Sequence, residues 1–145
     1  GADNVIRYDQ FEDLTTELPS VVRALYPDGV QAVFDGVGKA TFDASLASLA
    51  RCGSLVLFGG SSGQVEPVNL QRLSAAGSVW VTRPSLGDFI ATPQQLTAHM
   101  SDLMERVATG ELTLRIGGTY PLSEAARAHQ DLEARATTGK LLLLP

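Results

Sequence analysis

The residues best suited to hold a small molecule fall in one stretch, Ser54–Gly63, SLVLFGGSSG. Gly59, Gly60 and Gly63 leave no Cβ in the way of a ligand and tolerate positive φ. Ser61 and Ser62 offer hydroxyls and backbone N–H groups where the chain turns. Before them, the unbroken apolar run Leu55–Phe58 reads as a strand buried on both faces. Ligands of open parallel α/β sheets sit just past the carboxyl ends of strands. Phe58–Gly63 is therefore read as one wall of a ligand site, with a plain surface turn after a core strand as the alternative. A second loop of the same kind, Asp35-Gly36-Val37-Gly38, follows the apolar segment Val30–Phe34. Two successive strands ending in glycine-rich loops exceed what a scaffold requires.

Residues able to break bonds are scarce. Cys52 precedes Gly53 at an expected helix end, with no histidine or basic cluster beside it in sequence, so a nucleophilic role finds no support. His129 lies in an Ala/Leu-rich helical stretch and His99 in a similar one; both read as packed or capping histidines. One cysteine and two distant histidines form no zinc spacing. No catalytic residue and no metal ligand is assigned. The single cysteine also excludes an internal disulfide and fits a reducing compartment, so the cytoplasm is expected. A net charge of −5 with no Lys/Arg-rich run argues against a nucleic-acid backbone as partner. No segment reaches the ~18 unbroken apolar residues of a membrane span, and no basic-then-apolar leader opens the chain.

The elements that must position the two loops follow from periodicity. At 145 residues the chain suits one domain, or one domain plus part of another. Val5–Tyr8 is expected to be a short strand, and an α/β domain seldom begins there, so further chain is expected before Gly1. A helix is predicted from about Thr16 to Leu25, with Pro19 in its first turn, closed by the turn Tyr26-Pro27-Asp28-Gly29. Thr41 is read as the cap of a helix carrying Phe42, Leu46, Leu49 and Ala50 on one face, with Gly53 as its C′ residue. Asn69–Ala75 reads as a short helix closed by Gly77, and Ser78–Arg83 as a fourth strand stopped by Pro84. This alternation means a parallel, doubly wound sheet. Beyond about residue 90 the rhythm changes. Thr92 and Pro93 open a helix striped by Leu96, Met100, Leu103, Met104 and Val107, ended by Gly110; the methionines read as core filler. Leu112–Tyr120 is read as extended, Ser123 as the cap of a helix to about Ala136, and Lys140–Leu144 as a final strand. These last strands are expected to join a different sheet without continuing the βαβ rhythm.

Four stretches together, GADNVIRY, VFDGVG, SLVLFGGSSG with GSVWVTRPSL, and YPLSEAARAHQDLEARATTGKLLLLP, resemble the zinc-free NADPH:quinone oxidoreductases (zeta-crystallin-like) of the medium-chain dehydrogenase/reductase superfamily. The resemblance covers essentially the whole chain and corresponds to the carboxyl-terminal part of the enzyme. It implies residues 1–90 as the rear of a Rossmann NAD(P)-binding domain. Residues 91–145 would be the helix and strands that rejoin a GroES-like catalytic domain. The glycine-rich turn that meets the pyrophosphate is expected upstream, since no G-x-G-x-x-G occurs in these residues.

The same resemblance implies NADPH as cofactor and a set of residues that bind it. Tyr8 falls near the adenine-ribose end. Gly36 stands where the family motif D-S-V-G has serine, so only backbone contacts are expected there. Phe58, Gly59, Ser61 and Ser62 face the nicotinamide half, with Gly60 at a position often taken by Asn. Arg83 belongs to the T-R-P motif, with a strand-end ion pair as its alternative. Arg135 is held near the charged groups of the cofactor, where a guanidinium suits planar recognition of phosphate; a solvated helix-end arginine is its alternative. The implied activity is hydride transfer from NADPH to a quinone or conjugated carbonyl. Such an acceptor becomes anionic and takes its proton from water, so no general acid is demanded. Alternatives are an enoyl-thioester or enone reductase of the same superfamily, or a non-catalytic dinucleotide-binding or structural module. A zinc alcohol dehydrogenase is disfavoured by the absent ligand cluster, and the choice of NADP over NAD lies outside these residues. Ser78–Arg83, with Val79 and Val81 among alternating apolar side chains, is expected at the sheet edge. An uncovered edge pairs with its own copy across a two-fold axis, and the resemblance points to the same homodimer strand.

Overall fold

Three parallel strands form the sheet, and the first two carry the glycine loops at their carboxyl ends. The three are β1 (Val30–Asp35), β2 (Leu49–Leu57) and β3 (Trp80–Thr82), in the order β1-β2-β3. In this computed structural model, which describes residues 2–134 and 136–145, the chain divides into two units between Asp88 and Phe89. The first unit also holds α1 (Leu14–Leu25), α2 (Phe42–Ala47) and α3 (Gln71–Ala75). The short α4 (Leu86–Phe89) spans the division. The second contains α5 (Pro93–Ala108), β4 (Ile116–Pro121), α6 (Ala125–Glu133) and β5 (Lys140–Leu144). The α/β class with parallel, helix-linked strands is as read from the sequence.

The core of the first unit lies on one face of its sheet. Leu55 and Leu57 of β2 pack with Phe42 and Leu46 of α2, with Leu49 and Val79, and with the half-buried Leu73 and Ala76. Truncating a leucine in such a cluster costs about 2–5 kcal/mol. The registers Phe34↔Val56 and Val56↔Thr82 set alternate residues on the opposite face. There Phe34 and Trp80 are largely exposed. The expectation of a strand buried on both faces is corrected: Val56 is half-buried, and Phe58, past the strand end, is 57% exposed.

Several local readings change. Val5–Tyr8 is not a strand; no described strand pairs with it, Val5 is exposed, and Tyr8 opens a 3-10 turn, Tyr8–Gln10. α1 starts earlier than expected, because Asp13 accepts from the backbone N–H of Thr15 at 3.0 Å and caps it. Pro19 consequently sits inside the helix, buried. α2 ends at Ala47, and Leu49 and Ala50 belong to β2. The Arg23 guanidinium donates to the carbonyls of Ala47 and Leu49 at 3.0 and 3.1 Å, sealing that helix end. The start of β2 bulges: Val30 pairs with Leu49 but Ala32 with Ser54. Gly53 is therefore a strand residue rather than a C′ glycine; a Cβ there would meet the Ala50 carbonyl oxygen at 2.9 Å. The positive φ of this bulge, 56°, falls on Cys52, whose N–H donates to Gly77 O at 2.9 Å. β3 is only Trp80–Thr82, and Val79 is buried rather than displayed along an edge.

In the second unit α5 has a full capping box. Gln95 N–H donates to Thr92 Oγ1 at 3.2 Å, and Thr92 N–H to Gln95 Oε1 at 3.0 Å. Gly110, at φ 77°, follows its end. β4 and β5 pair in parallel in a sheet of their own, linked through α6. They therefore form a βαβ unit, and the expected loss of that rhythm is corrected. Ser123 lies in a 3-10 turn, Leu122–Glu124, and caps nothing through its side chain. Tyr120 Oη donates to Asp131 Oδ2 at 2.9 Å, clasping β4 to α6.

Candidate functional site

The loops after β1 and β2 are built as one body around Asp35, the last residue of β1. Its side chain is only 4% exposed. Oδ1 accepts from Val37 N–H at 2.8 Å and Gly38 N–H at 3.0 Å, which curls the chain immediately after the strand. The Thr41 hydroxyl lies 2.8 and 2.7 Å from its two oxygens, and the Ser45 hydroxyl donates to Oδ2 at 2.8 Å. Thr41 precedes α2 as expected but makes no side-chain cap bond, because its hydroxyl turns to this carboxylate. Burial, the largest single influence, pushes the Asp35 pKa up. The hydrogen bonds from Thr41, Gly38, Ser45 and Val37 together outweigh it, and the carboxyl titrates below its ordinary value.

The backbone of Asp35 holds the second loop. Its carbonyl accepts from Phe58 N–H at 2.9 Å and Gly59 N–H at 3.3 Å. Ser61 N–H then donates to Gly36 O at 3.4 Å and Ser62 N–H to Val37 O at 2.9 Å. The Ser62 hydroxyl donates to Val37 O at 2.7 Å and accepts from Ala40 N–H at 2.9 Å, so it is a staple between loops. No gap separates the two strand tips: a Cβ on Gly59 would lie 2.3 Å from Gly36 O. Only glycine permits that approach. The Phe58 ring covers Gly36, where a Cβ would meet its Cζ at 2.9 Å. A serine at position 36 would displace the ring.

The joined loops open onto a cleft of about 290 Å³ lined by Leu57, Gly59, Gly60, Gly63, Gln64, Val65 and Arg83. It lies past the carboxyl ends of β2 and β3. A Cβ on Gly60 would meet nothing closer than Gly63 O at 3.5 Å, so main chain rather than side chain forms much of its wall. Arg83 contributes the guanidinium and donates to Pro84 O at 2.9 Å; no strand-end ion pair of Arg83 is found among the described residues. The structure brings Gly36, Phe58, Gly59, Ser61, Ser62 and Arg83 to one end of the sheet, but of these Gly59 and Arg83 line the cleft and Gly36, Phe58, Ser61 and Ser62 do not. Tyr8, in its 3-10 turn, does not line the cleft. Arg135 lies outside the described residues.

The residue that sequence reasoning passed over is Asp35. Its signal was an acid ending an apolar strand before G-x-G, with hydroxyl residues six and ten positions on. Among the described residues no three of His, Cys, Asp and Glu converge as metal ligands. No helix of the described residues is long and apolar enough to cross a membrane.

A parallel α/β sheet with helix-linked strands and a cleft at its carboxyl end places the chain in the class of open α/β folds. Residues 1–143 match the family described as zinc-binding dehydrogenase, and the chain belongs to that family. It is 42% identical over 147 residues to Quinone oxidoreductase 1 of Escherichia coli (strain K12), covering 100% of this chain and 44% of that protein. A mycobacterial protein solved in complex with NADPH superposes with a TM-score of 0.89 at 51% identity, over 100% of this chain and 43% of the other. The Escherichia coli quinone oxidoreductase complexed with NADPH superposes at 0.88 with 40% identity, over 100% and 44% of the two chains. The chain therefore spans less than half the length of the relatives it matches.

Proposed function

We propose that this chain is the carboxyl-terminal part of an NADPH-dependent quinone reductase, an enzyme of hydride transfer. Its first unit would supply one wall of the cofactor site, and residues 91–145 the segment that rejoins a GroES-like catalytic domain. The observation that carries the reading is the fusion of two glycine loops over a cleft holding one guanidinium. Relatives solved with NADPH support it. The cleft fits an anionic, flat-ringed ligand in two respects: Gly60 leaves the wall open to close approach, and Arg83 supplies an always-charged fork of donors.

When bound, NADPH supplies the hydride. Gly59 brings main chain within reach of the ligand, and Gly36, beneath the Phe58 ring, supports it from the joined loop, with Ser61 beside them. Phe58 offers an exposed ring face next to Gly36. Ser62 acts through its backbone, since its hydroxyl is spent holding the loops. Arg83 neutralises charge in the cleft, Arg135 serves the charged groups of the cofactor, and Tyr8 the adenine-ribose end. None of these residues has to move a proton, because a reduced quinone draws its proton from water. The copies pair as a homodimer through the open edge at Trp80–Thr82, which has a strand neighbour on one side only among the described residues. The cytoplasm is the compartment assigned, its reducing poise suiting the exposed thiol of Cys52.

The test is NADPH consumption by the intact protein with 1,4-benzoquinone, with no metal added. Turnover is the expected result. No turnover with quinones or conjugated enals at any NADPH level overturns the reading.

A further inference from the structure

The buried group that this function leaves unused is the Asp35 carboxylate. We propose that Asp35 is a positioning residue for cofactor binding, setting the loop Gly36–Gly38 and, through it, the loop Phe58–Gly63. The proposal rests on the NADPH reading above. Asp35 reaches no ligand, being enclosed by its own donors, so it acts through what it holds.

A buried carboxylate is costly unless hydrogen bonds surround it. Here Val37, Gly38, Thr41 and Ser45 provide them, and no ion pair among the described residues involves Asp35. Packing alone would favour a leucine at this strand end. What the acid adds is geometry. Two of its donors are loop amides and two are hydroxyls at or near the start of α2, so loop and helix are fixed as one piece. That order passes to the second loop through the carbonyls of Gly36 and Val37, which accept from Ser61 and Ser62. The wall of the cleft is therefore only as well placed as the Asp35 shell.

The experiment measures the NADPH dissociation constant of the intact protein by fluorescence titration, with the melting temperature recorded for each variant. Asp35→Ala should weaken NADPH binding about tenfold or more, the scale of losing hydrogen bonds to a charged group. The NADPH KM should rise while the quinone KM stays unchanged. Leu46→Ala, in the same core but away from the loops, should lower the melting temperature at least as much yet leave binding within about twofold. Asp35→Asn keeps Oδ1 for the loop amides and lets the two hydroxyls rotate to accept, so it should recover binding to within about threefold of the unsubstituted protein. Should Asp35→Ala fail to fold, Thr41→Val with Ser45→Ala strips two donors and should weaken binding about threefold or more. The proposal is overturned if Asp35→Ala, or the double variant in its place, binds NADPH as the unsubstituted protein does. It is equally overturned if Leu46→Ala weakens binding as much as Asp35→Ala. Failure of the unsubstituted protein to bind NADPH overturns the cofactor reading itself and this proposal with it.

Discussion

The two units each contain a parallel βαβ arrangement in which glycines let main chain touch where the strands begin (a Cβ on Gly29, just before β1, would lie 2.7 Å from Leu49 C), but the first unit repeats the contact at the carboxyl ends. In the second unit Gly117 lies near the start of β4 and Gly139 just before β5. A Cβ on Gly117 would fall 1.7 Å from Thr138 O, and one on Gly139 2.4 Å from Arg115 O. Those glycines let two backbones touch where the strands begin. In the first unit Gly36 and Gly59 touch at the carboxyl ends, and Gly60 next to them faces open space. Close packing of main chain is thus common to both. Only the end where an open α/β sheet receives ligands combines it with a cleft and a charge. The acids differ likewise. Asp131 accepts from a tyrosine at a half-buried clasp, whereas Asp35 is enclosed by four donors and organises a site.

The comparison is broken most severely by alanine at the touching glycines. Gly117→Ala and Gly59→Ala each force a Cβ against backbone, and each should cost about 3 kcal/mol or more in urea unfolding. The two should part in ligand binding: folded Gly117→Ala retains NADPH affinity, and Gly59→Ala loses it. Equal loss in both would erase the distinction between the strand ends. A smaller effect comes from acid. With its folded-state pKa depressed, Asp35 stabilises the first unit above the ordinary carboxylate range. That contribution is lost as pH falls from about 4 downward. Asp35→Asn should flatten this acid limb, read as a smaller difference between urea midpoints at neutral and acid pH. The smallest change is Tyr120→Phe, which removes the clasp to Asp131 and should lower the urea midpoint only slightly. The hydrogen bond to Asp131, with burial beside it, raises the Tyr120 phenol pKa. Its contribution therefore holds at neutral pH and fades as pH rises through that raised value, which ultraviolet titration reads directly.

Much of this architecture was legible because local chemistry and tertiary context agree. Thr92, Pro93 and Gln95 start α5 as their types dictate, and the strand–loop rhythm of residues 30–84 was plain. Leu49 and Ala50 were misread because apolar residues three and four positions past Leu46 satisfy a helix stripe, while the bulge that claims them for β2 depends on pairing with Val30. Cys52 gave no warning of positive φ, a conformation that its side chain disfavours. Val5–Tyr8 has strand composition, but no described strand lies beside it. The site was visible in its glycines and in Arg83. Asp35 was not, since its partners Thr41 and Ser45 reach it only once α2 has formed.

One further consequence attaches to the way Phe58 and Gly59 hang from the Asp35 carbonyl. Both donor and acceptor there belong to the peptide skeleton, which every amino acid except proline shares. An alanine scan is blind to that tether, and tolerance of substitution at Phe58 would say nothing about its importance. Ester replacement of the amide, rather than any change of side chain, is what would expose it.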